Sequence, residues 1–199
     1  THMINRNQAL ELLREKMQSV NLRRHCYSVE AVMRSLARHF SKEEPSSFAK
    51  ATEDRWGIVG LLHDGDYEET KNTPELHTLK MVEWLKDIGE NDPEIISAIL
   101  SHNFSHTGQN SPQNKLEWSL YCCDELTGLI VAVALVRPEK KLALLTVENV
   151  FGKWKEKSFA AGVKREQIQE CEARLGIPLA EFIQIALSAM QNISQELGL

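Results

Sequence analysis

An apolar run at residues 56–62 ends directly in His63 and Asp64, and a polar segment at residues 65–69 follows. Apolar runs are mostly buried in folded proteins, so this run carries an imidazole and a carboxylate side by side to the edge of the core. Both groups are costly to bury without a partner, and a divalent ion satisfies both at once. The dipeptide therefore indicates a metal site at the end of a buried segment.

The length of 199 residues and the apolar content of 42% predict one domain with a sizeable core. We expect a single domain over residues 4–199, with a metal-binding core at about 22–136 and a helical C-terminal cover at about 137–199. Met3 reads as the natural start and the residues before it as a cloning remnant, so His2 is excluded from the metal argument.

The formal net charge of −5 gives no general attraction to nucleic acid or to an anionic membrane. No apolar stretch is expected to reach the roughly 20 residues of a spanning helix, and residues 5–16 are too polar for a signal peptide. The cysteines form no C-x-x-C pair and predict reduced thiols in a cytoplasmic protein, with Cys26 more plausible as a small buried side chain than as a nucleophile. They are Cys26, Cys122, Cys123 and Cys171.

Apolar residues recur at helical spacing along most of the chain, whereas strand-like alternation is scarce. The sequence therefore predicts an all-α helical bundle with extra C-terminal helices. Thr73-Pro74 and Asp92-Pro93 each offer an N-cap followed by proline at the first helical position. The valine-rich segment 129–136 is compatible with a strand by composition, but its place in a long helical pattern favours a helix. The predicted helices cover 5–18, 22–40, 45–51, 54–63, 74–88, 93–101, 115–136, 147–155, 165–175 and 179–197.

Two of the chemically reactive side chains lie on apolar helix faces. His25 shares its face with Leu22 and Val29, which fits either a metal ligand or a core histidine bonded to a backbone carbonyl. Asp124 shares its face with Leu120 and Thr127, and a lone buried carboxylate costs several kcal/mol or more. A metal-ligand role for Asp124 is favoured over a salt bridge to a buried arginine.

Two further histidines, His77 and His102, lie at the start and the end of predicted helices and fit either metal binding or capping. His106, in the polar segment beyond, fits substrate contact or solvent exposure, and His39 fits the surface. A core seldom holds so many imidazoles and carboxylates without a metal. Their mixed nitrogen and oxygen donors suit one or two divalent ions, namely Mn, Fe, Ni, Co, Zn or, less comfortably, Mg. The candidate ligands are His25, His63, Asp64, His77, His102 and Asp124.

The order His, His-Asp, His, His, Asp on successive helices resembles the HD-domain superfamily of metal-dependent phosphohydrolases. The resemblance covers about residues 22–136 and includes a group of uncharacterised HD hydrolases. It implies that His25, His63, Asp64 and Asp124 surround one metal. It also implies that His77 and His102 bind a second ion, with Asp64 as the bridge.

Two departures from the family pattern narrow this expectation. Asp66 stands where phosphodiesterase members often carry a lysine, and Asn103 follows His102 where cyclic-dinucleotide phosphodiesterases carry a second histidine. A cyclic-dinucleotide phosphodiesterase is therefore not expected.

The resemblance implies hydrolysis of a small phosphorylated substrate, a phosphomonoester or phosphodiester and possibly a nucleotide, by a metal-activated water. Asp64 would act at the metal, and Asp66 or Glu68 would serve as general acid or orient a ligand, unless both belong to a solvated acidic loop. Residues 137–165 hold eight basic and three acidic side chains, which either rim the site or form a solvated surface.

Two other functions remain open at this stage, as does the oligomeric state. The same six residues also resemble the di-iron oxygenases of the HD fold, such as myo-inositol oxygenase. A non-catalytic helical regulatory module with a structural metal is the third possibility.

Overall fold

A computed structural model describes residues 3–199, so the interpretation of His2 lies outside the described residues. Within this range the chain forms helices and no strand, as an all-α prediction requires. Two 3-10 turns, Pro74–Leu76 and Leu142–Leu144, join the α-helices. The α-helices are α1 (Arg6–Lys16), α2 (Val20–Phe40), α3 (Ser46–Leu62), α4 (Tyr67–Thr70), α5 (Leu79–Asp87), α6 (Pro93–Ser101), α7 (Phe104–Thr107), α8 (Lys115–Val136), α9 (Val147–Trp154), α10 (Arg165–Leu175), α11 (Leu179–Gln191) and α12 (Ser194–Leu197).

Helix α2 is the centre of the bundle, packed against α3 on one side and against α8 and α11 on the others. Its start is fixed by Ser19, whose hydroxyl accepts a hydrogen bond from the Leu22 amide. One side of the helix is closed to solvent, including Val29 and Met33. The central position of α2 gives any polar residue on its inner face a largely water-free environment.

Helix α8 is long and apolar enough to cross a membrane, with a mean hydropathy of 1.7 over its best 18-residue window. The expectation that no stretch reaches this length is therefore wrong for α8. However, 56% of that window is buried inside the protein, as in the core helix of a globular bundle. Helices α10 and α11 pass the same test together, but a bend of 108° separates them.

The C-terminal helices, expected as a cover over residues 137–199, supply part of the core itself. Helix α11 packs on α2 and α10 packs along α8. Phe182 and Ile183 of α11 have no exposed surface and belong to the same apolar cluster as the residues of α2 and α3. The bundle around α2 is therefore completed by the end of the chain.

The predicted helices 45–51 and 54–63 form one continuous helix, α3. No glycine or proline lies between Ala51 and Asp54, so nothing interrupts the backbone hydrogen bonds there. The last predicted helix, 179–197, is instead divided into α11 and α12. Helices α6 and α8 have the predicted bounds, and the Asp92 side chain caps α6 by accepting from the Glu94 amide.

The predicted helix 74–88 is interrupted at His77 and Thr78. Thr73 makes no capping hydrogen bond, and Pro74 opens a 3-10 turn instead of a helix. Thr78 has a φ of 73°, a left-handed conformation that is strained for a β-branched residue. Such strain persists only where surrounding contacts enforce it, and it turns His77 out of the helical path.

Helices α2 and α3 approach each other most closely at Gly60, one turn before His63. A Cβ atom at this position would lie 2.9 Å from the backbone N and Cα of Glu30 and from the backbone O of Val29. Real Cβ atoms do not come this close to backbone, so any larger residue would push the two helices apart.

We expect Gly60→Ala to lower the free energy of unfolding by roughly 1–3 kcal/mol, as overpacking of a core does. Gly152→Ala is the matched control, because α9 leaves open space around Gly152. The control should leave stability unchanged or raise it by up to about 1 kcal/mol. Urea unfolding of both variants is the measurement, and equal stabilities would contradict the close approach at Gly60.

Candidate metal centre

Five elements of the bundle bring the six predicted ligands to one place. Helix α2 carries His25, and α3 ends in His63 and Asp64. The strained link before α5 presents His77, α6 ends in His102, and α8 supplies Asp124. Their ligand atoms form two groups within which every atom lies within 4.8 Å of the others, and Asp64 belongs to both. The groups are His25, His63, Asp64 and Asp124, and Asp64, His77 and His102.

The two oxygens of Asp64 face different pairs of imidazoles. Oδ1 lies 2.9 Å from Nε2 of His102 and 3.2 Å from Nε2 of His77. Oδ2 lies 3.4 Å from Nε2 of His25 and 3.5 Å from Nε2 of His63. A carboxylate placed in this way has the orientation needed to bridge two ions.

Asp124 completes the first of these groups. Its Oδ1 lies 2.8 Å from Nε2 of His25 and 3.2 Å from Nε2 of His63. Its side chain is 14% exposed, so it faces the core as its spacing on α8 predicts. No arginine neutralises it; its close partners in the described structure are histidines, which removes the salt-bridge interpretation.

Hydrogen bonds on the far side of two rings determine which ring nitrogen faces the centre. Nδ1 of His63 lies 2.7 Å from the carbonyl oxygen of Gly60, which can only accept, so Nδ1 carries the hydrogen. Nδ1 of His77 lies 2.7 Å from Oδ1 of Asp66. Once such a ring is neutral, the lone pair of Nε2 points into the centre, which is the tautomer that metal ligation needs.

The other two rings are oriented differently. The Thr127 hydroxyl donates to the carbonyl oxygen of Asp124, and its oxygen lies 3.5 Å from Nδ1 of His25. Nδ1 of His102 is buried without a hydrogen-bond partner, 3.8 Å from Oδ2 of Asp124. A buried polar atom with no partner costs about 1–3 kcal/mol, so this nitrogen favours an additional group in the centre.

Asp66 lies behind His77 and not in the centre. It has no exposed surface, and its two oxygens accept from Nδ1 of His77 and from the backbone amide of Met81 at 3.0 Å. Both oxygens of Asp66 already accept hydrogen bonds. Of the two roles predicted for this residue, the arrangement therefore fits orientation of a ligand and does not fit a general acid. The hydrogen bond between His77 and Asp66 also explains why the chain turns at His77.

Glu68 lies outside the centre. Its Oε2 accepts from the backbone amides of Gln18 at 2.7 Å and Ser19 at 3.2 Å, in the turn between α1 and α2. In the structure Glu68 ties the segment after Asp64 to the start of α2, and its role as a general acid or in orienting a ligand stays a prediction.

The histidines and carboxylates shift each other's pKa values strongly. Burial lowers the pKa of His25, but hydrogen bonds to Asp124 and Asp64 outweigh it and raise this pKa to about 10. Burial is likewise outweighed at His77, where hydrogen bonds to Asp64 and Asp66 raise the pKa to about 9. Burial raises the pKa of Asp64, but the charge of His63 and the hydrogen bonds of three other histidines hold it well below the usual range.

The donor set fits divalent metal. Two ligand atoms held at right angles about 2.1 Å from one ion lie about 3 Å apart, which is the spacing of most nitrogen and oxygen pairs in the centre. Without a metal, protons on the imidazoles balance the charge of the carboxylates, as the raised pKa values of His25 and His77 indicate. The ligand assignment of the six residues stays a prediction, now with a geometry that suits it.

The four cysteines offer no nucleophile here. Cys26 lies next to His25 in sequence but in the apolar core, and burial raises the pKa of its thiol well above the usual value. Burial also raises the pKa values of Cys122, Cys123 and Cys171. Their thiols stay neutral, which matches the expectation of buried hydrophobes.

The basic segment 137–165 contributes one side chain to the surroundings of the centre. Nζ of Lys164 lies 3.4 Å from the hydroxyl of Ser105, beside the exposed His106. Arg165 instead donates to carbonyl oxygens within the segment 153–160. Arg165 therefore holds this loop together, whereas Lys164 fits the interpretation of a basic rim. His39 lies away from the centre, 4.0 Å from Glu181.

Sequence reasoning missed several contributors. The carbonyl of Gly60 and the hydroxyl of Thr127 orient rings through contacts that only the folded chain creates. Thr127 had a usable signal, because it lies three residues after Asp124 on the same face of α8. The strained Thr78 had none, since its conformation depends on distant contacts.

We expect the affinity for Mn²⁺ or Zn²⁺ to rise with pH up to about 9–10. A ligating imidazole must be neutral, and below their raised pKa values His25 and His77 hold protons that a metal has to displace. Titration calorimetry in buffers of different ionisation enthalpy would measure the released protons. A pH-independent affinity would contradict this ligand assignment.

Asp66→Asn should weaken metal binding by roughly 10–100-fold, because the amide has one acceptor oxygen where Asp66 uses two, so the hydrogen bond from His77 or the one from the Met81 amide is lost. Glu68→Gln is the control, since Glu68 lies two residues away but holds only the turn before α2. It should leave metal affinity unchanged while lowering thermal stability. Equal losses of affinity in both variants would show that Asp66 has no specific part.

Comparison with known proteins agrees with this geometry. The HD domain family model matches residues 22–175, so the match continues past residue 136 through α9 and α10. No curated protein and no solved structure gives a match. The matched segment covers well over half of the 199 residues and contains all six predicted ligands. The chain belongs to the HD-domain family.

Proposed function

We propose that this protein is a metal-dependent hydrolase of phosphate esters with a centre for two ions that share Asp64. The family makes metal-dependent phosphohydrolase chemistry the general expectation. The observation that carries the two-ion proposal is the division of the Asp64 oxygens between two imidazole pairs. If the protein bound only one ion, held by the group that contains Asp124, nothing would require His77 and His102 to lie beside Asp64 as well.

Divalent ions bound here supply positive charge for phosphoryl oxygens and lower the pKa of a water toward neutrality. The residues of the chain hold this arrangement in place. Asp66 and the Gly60 carbonyl keep the rings of His77 and His63 in their ligating tautomer. The low pKa of Asp64 keeps that carboxylate ionised throughout the neutral range.

The rim supplies groups suited to an anionic substrate. Lys164 offers a positive charge beside Ser105 and His106. A small cavity of about 70 Å³ lies on the same side and is lined in part by His77, His106 and Lys71. We propose that Lys164 contributes to binding the phosphoryl group, with a small phosphorylated molecule as the substrate.

The proposal is tested by measuring phosphate release from a panel of phosphomonoesters and phosphodiesters with Mn, Ni, Co, Mg and Fe in turn. Asp64→Asn should lose activity by a factor of a thousand or more, on the order expected when a catalytic metal site is disrupted. His39→Gln is the control, because this histidine lies away from the centre. No phosphate release with any metal would refute the proposal.

Metal content separates two ions from one. Asp64→Asn should bind fewer ions at both positions, whereas His77→Gln should lose one ion and keep the other. Metal analysis of the purified variants gives the stoichiometry directly. Equal metal content in His77→Gln and in the unmodified protein would argue for a single ion.

A di-iron oxygenase is the second candidate, and the four imidazoles around two carboxylates favour it because imidazole is a good iron ligand. Aerobic purification followed by iron analysis distinguishes the two. Two irons per chain, oxygen uptake with a polyol or phosphonate and no phosphate release would establish the oxygenase in place of the hydrolase.

A non-catalytic module with a structural metal is the third candidate. It predicts that replacing His63 and Asp64 with alanine lowers the melting temperature and metal content while no activity is detectable in the parent.

We further propose a cytoplasmic location, since the four cysteines are unpaired in the fold.

A further inference from the structure

A cavity of about 440 Å³ opens beside the candidate metal centre, on the side of His25. This volume is in the range of small-molecule sites. Val131, Leu135 and Leu197 give it apolar walls, and Thr127 connects it to Asp124. A phosphate ester bound at the centre would have room here for its organic part.

One wall of this cavity carries a cation that the fold leaves unused. Arg24 is half-buried and lines the cavity together with Asn21 and Ser28. Among the described residues, none accepts a hydrogen bond or forms an ion pair with its guanidinium, whereas Arg6 and Arg34 in the same half of the bundle bind Glu30. A guanidinium forms strong paired hydrogen bonds with carboxylate or phosphate, so an unpaired one facing a cavity favours an anionic partner.

The position of Arg24 is restricted by its neighbours. A Cβ atom on Gly198 would lie 2.8 Å from Nη2 of Arg24, so the guanidinium packs directly against the backbone there. Arg24 also directly precedes His25 on α2, so the rigid helix fixes the position of its backbone relative to this candidate ligand. Since less side-chain freedom is lost on binding, such a cation discriminates well between ligands.

We propose that Arg24 selects substrates whose organic part carries a second anionic group, a carboxylate or a second phosphate. This inference rests on the proposed function, because the centre has to hold the first phosphoryl group. The apolar walls then surround the carbon chain between the two anionic ends. The substrate class is accordingly a small phosphate ester with two separated anionic groups.

Binding of non-hydrolysable probes tests the proposal without turnover. We would titrate the Mn-loaded protein with ω-carboxyalkylphosphonates of increasing chain length, each against the alkylphosphonate of the same length, by calorimetry. At the best length the carboxylated member should bind roughly tenfold tighter or more, as expected for a hydrogen bond between charged groups. A ratio near one at every length, or no binding of either member, would overturn the proposal.

Two variants assign the preference to its residue. Arg24→Gln should bring the affinity ratio close to one, and Arg24→Lys should restore part of it, because the charge returns without the paired geometry. Arg38→Gln removes the same charge from the same helix outside the cavity and should keep the full ratio. An unchanged ratio in Arg24→Gln would overturn the proposal.

Hydrolysis assays separate this inference from the proposed function. For 3-phosphoglycerate against glycerol 3-phosphate, kcat/KM should show the same preference and the same dependence on Arg24. If the phosphonate preference is found but no phosphate is released from any ester, the anion site stands and the hydrolase proposal fails. If esters are hydrolysed without preference for a second anion, the hydrolase stands and the role of Arg24 is refuted.

Discussion

Two largely buried carboxylates, Asp64 and Asp124, face four imidazoles at the centre of the bundle, and the surrounding structure is arranged to hold them there. Burial of a carboxylate is expensive unless its charge is balanced. Protons on the imidazoles balance this charge when no metal is bound, and the same arrangement, with nitrogen and oxygen atoms about 3 Å apart, suits divalent ions. Positive charge, from imidazole protons or from a metal, is therefore needed beside these two carboxylates.

Helix ends position the reactive groups more than helix faces do. His63 with Asp64 follows α3, and His102 follows α6, so these side chains lie where the chain can turn. The close approach of α2 and α3 at Gly60 brings His25 toward this turn, and the carbonyl of the same glycine orients His63. Packing and ligand orientation thus depend on a single position, which links the stability of the bundle to the quality of the site.

Local sequence signals were sufficient for much of the helical framework. The cap at Asp92 and the unbroken apolar pattern of 115–136 predict α6 and α8 with the bounds found, because both depend on neighbours within a few residues. The convergence of the six candidate ligands was expected because their order along the chain resembles that of the HD-domain family. The predictions that failed concern features that depend on distant contacts. The helix breaks at Thr78 because Asp66 accepts hydrogen bonds from His77 and from the Met81 amide, eleven and fifteen residues further along the chain.

The same limit applies to the surroundings of the site. Nothing in the sequence distinguishes Glu68, which caps the turn before α2, from Asp66, which orients a candidate ligand, because both stand in one acidic segment. Nor does it distinguish Arg24 from Arg6, because the ion pair of Arg6 with Glu30 is decided by the packing of α1 on α2. In the basic segment 137–165, Arg165 likewise donates hydrogen bonds to backbone carbonyl oxygens of its own segment.

Anomalous diffraction from crystals grown with Mn²⁺ tests the central claim most directly. The account predicts two peaks on either side of Asp64, one among His25, His63 and Asp124 and the other beside His77 and His102. A single peak, or peaks away from the Asp64 carboxylate, would contradict a shared two-ion centre.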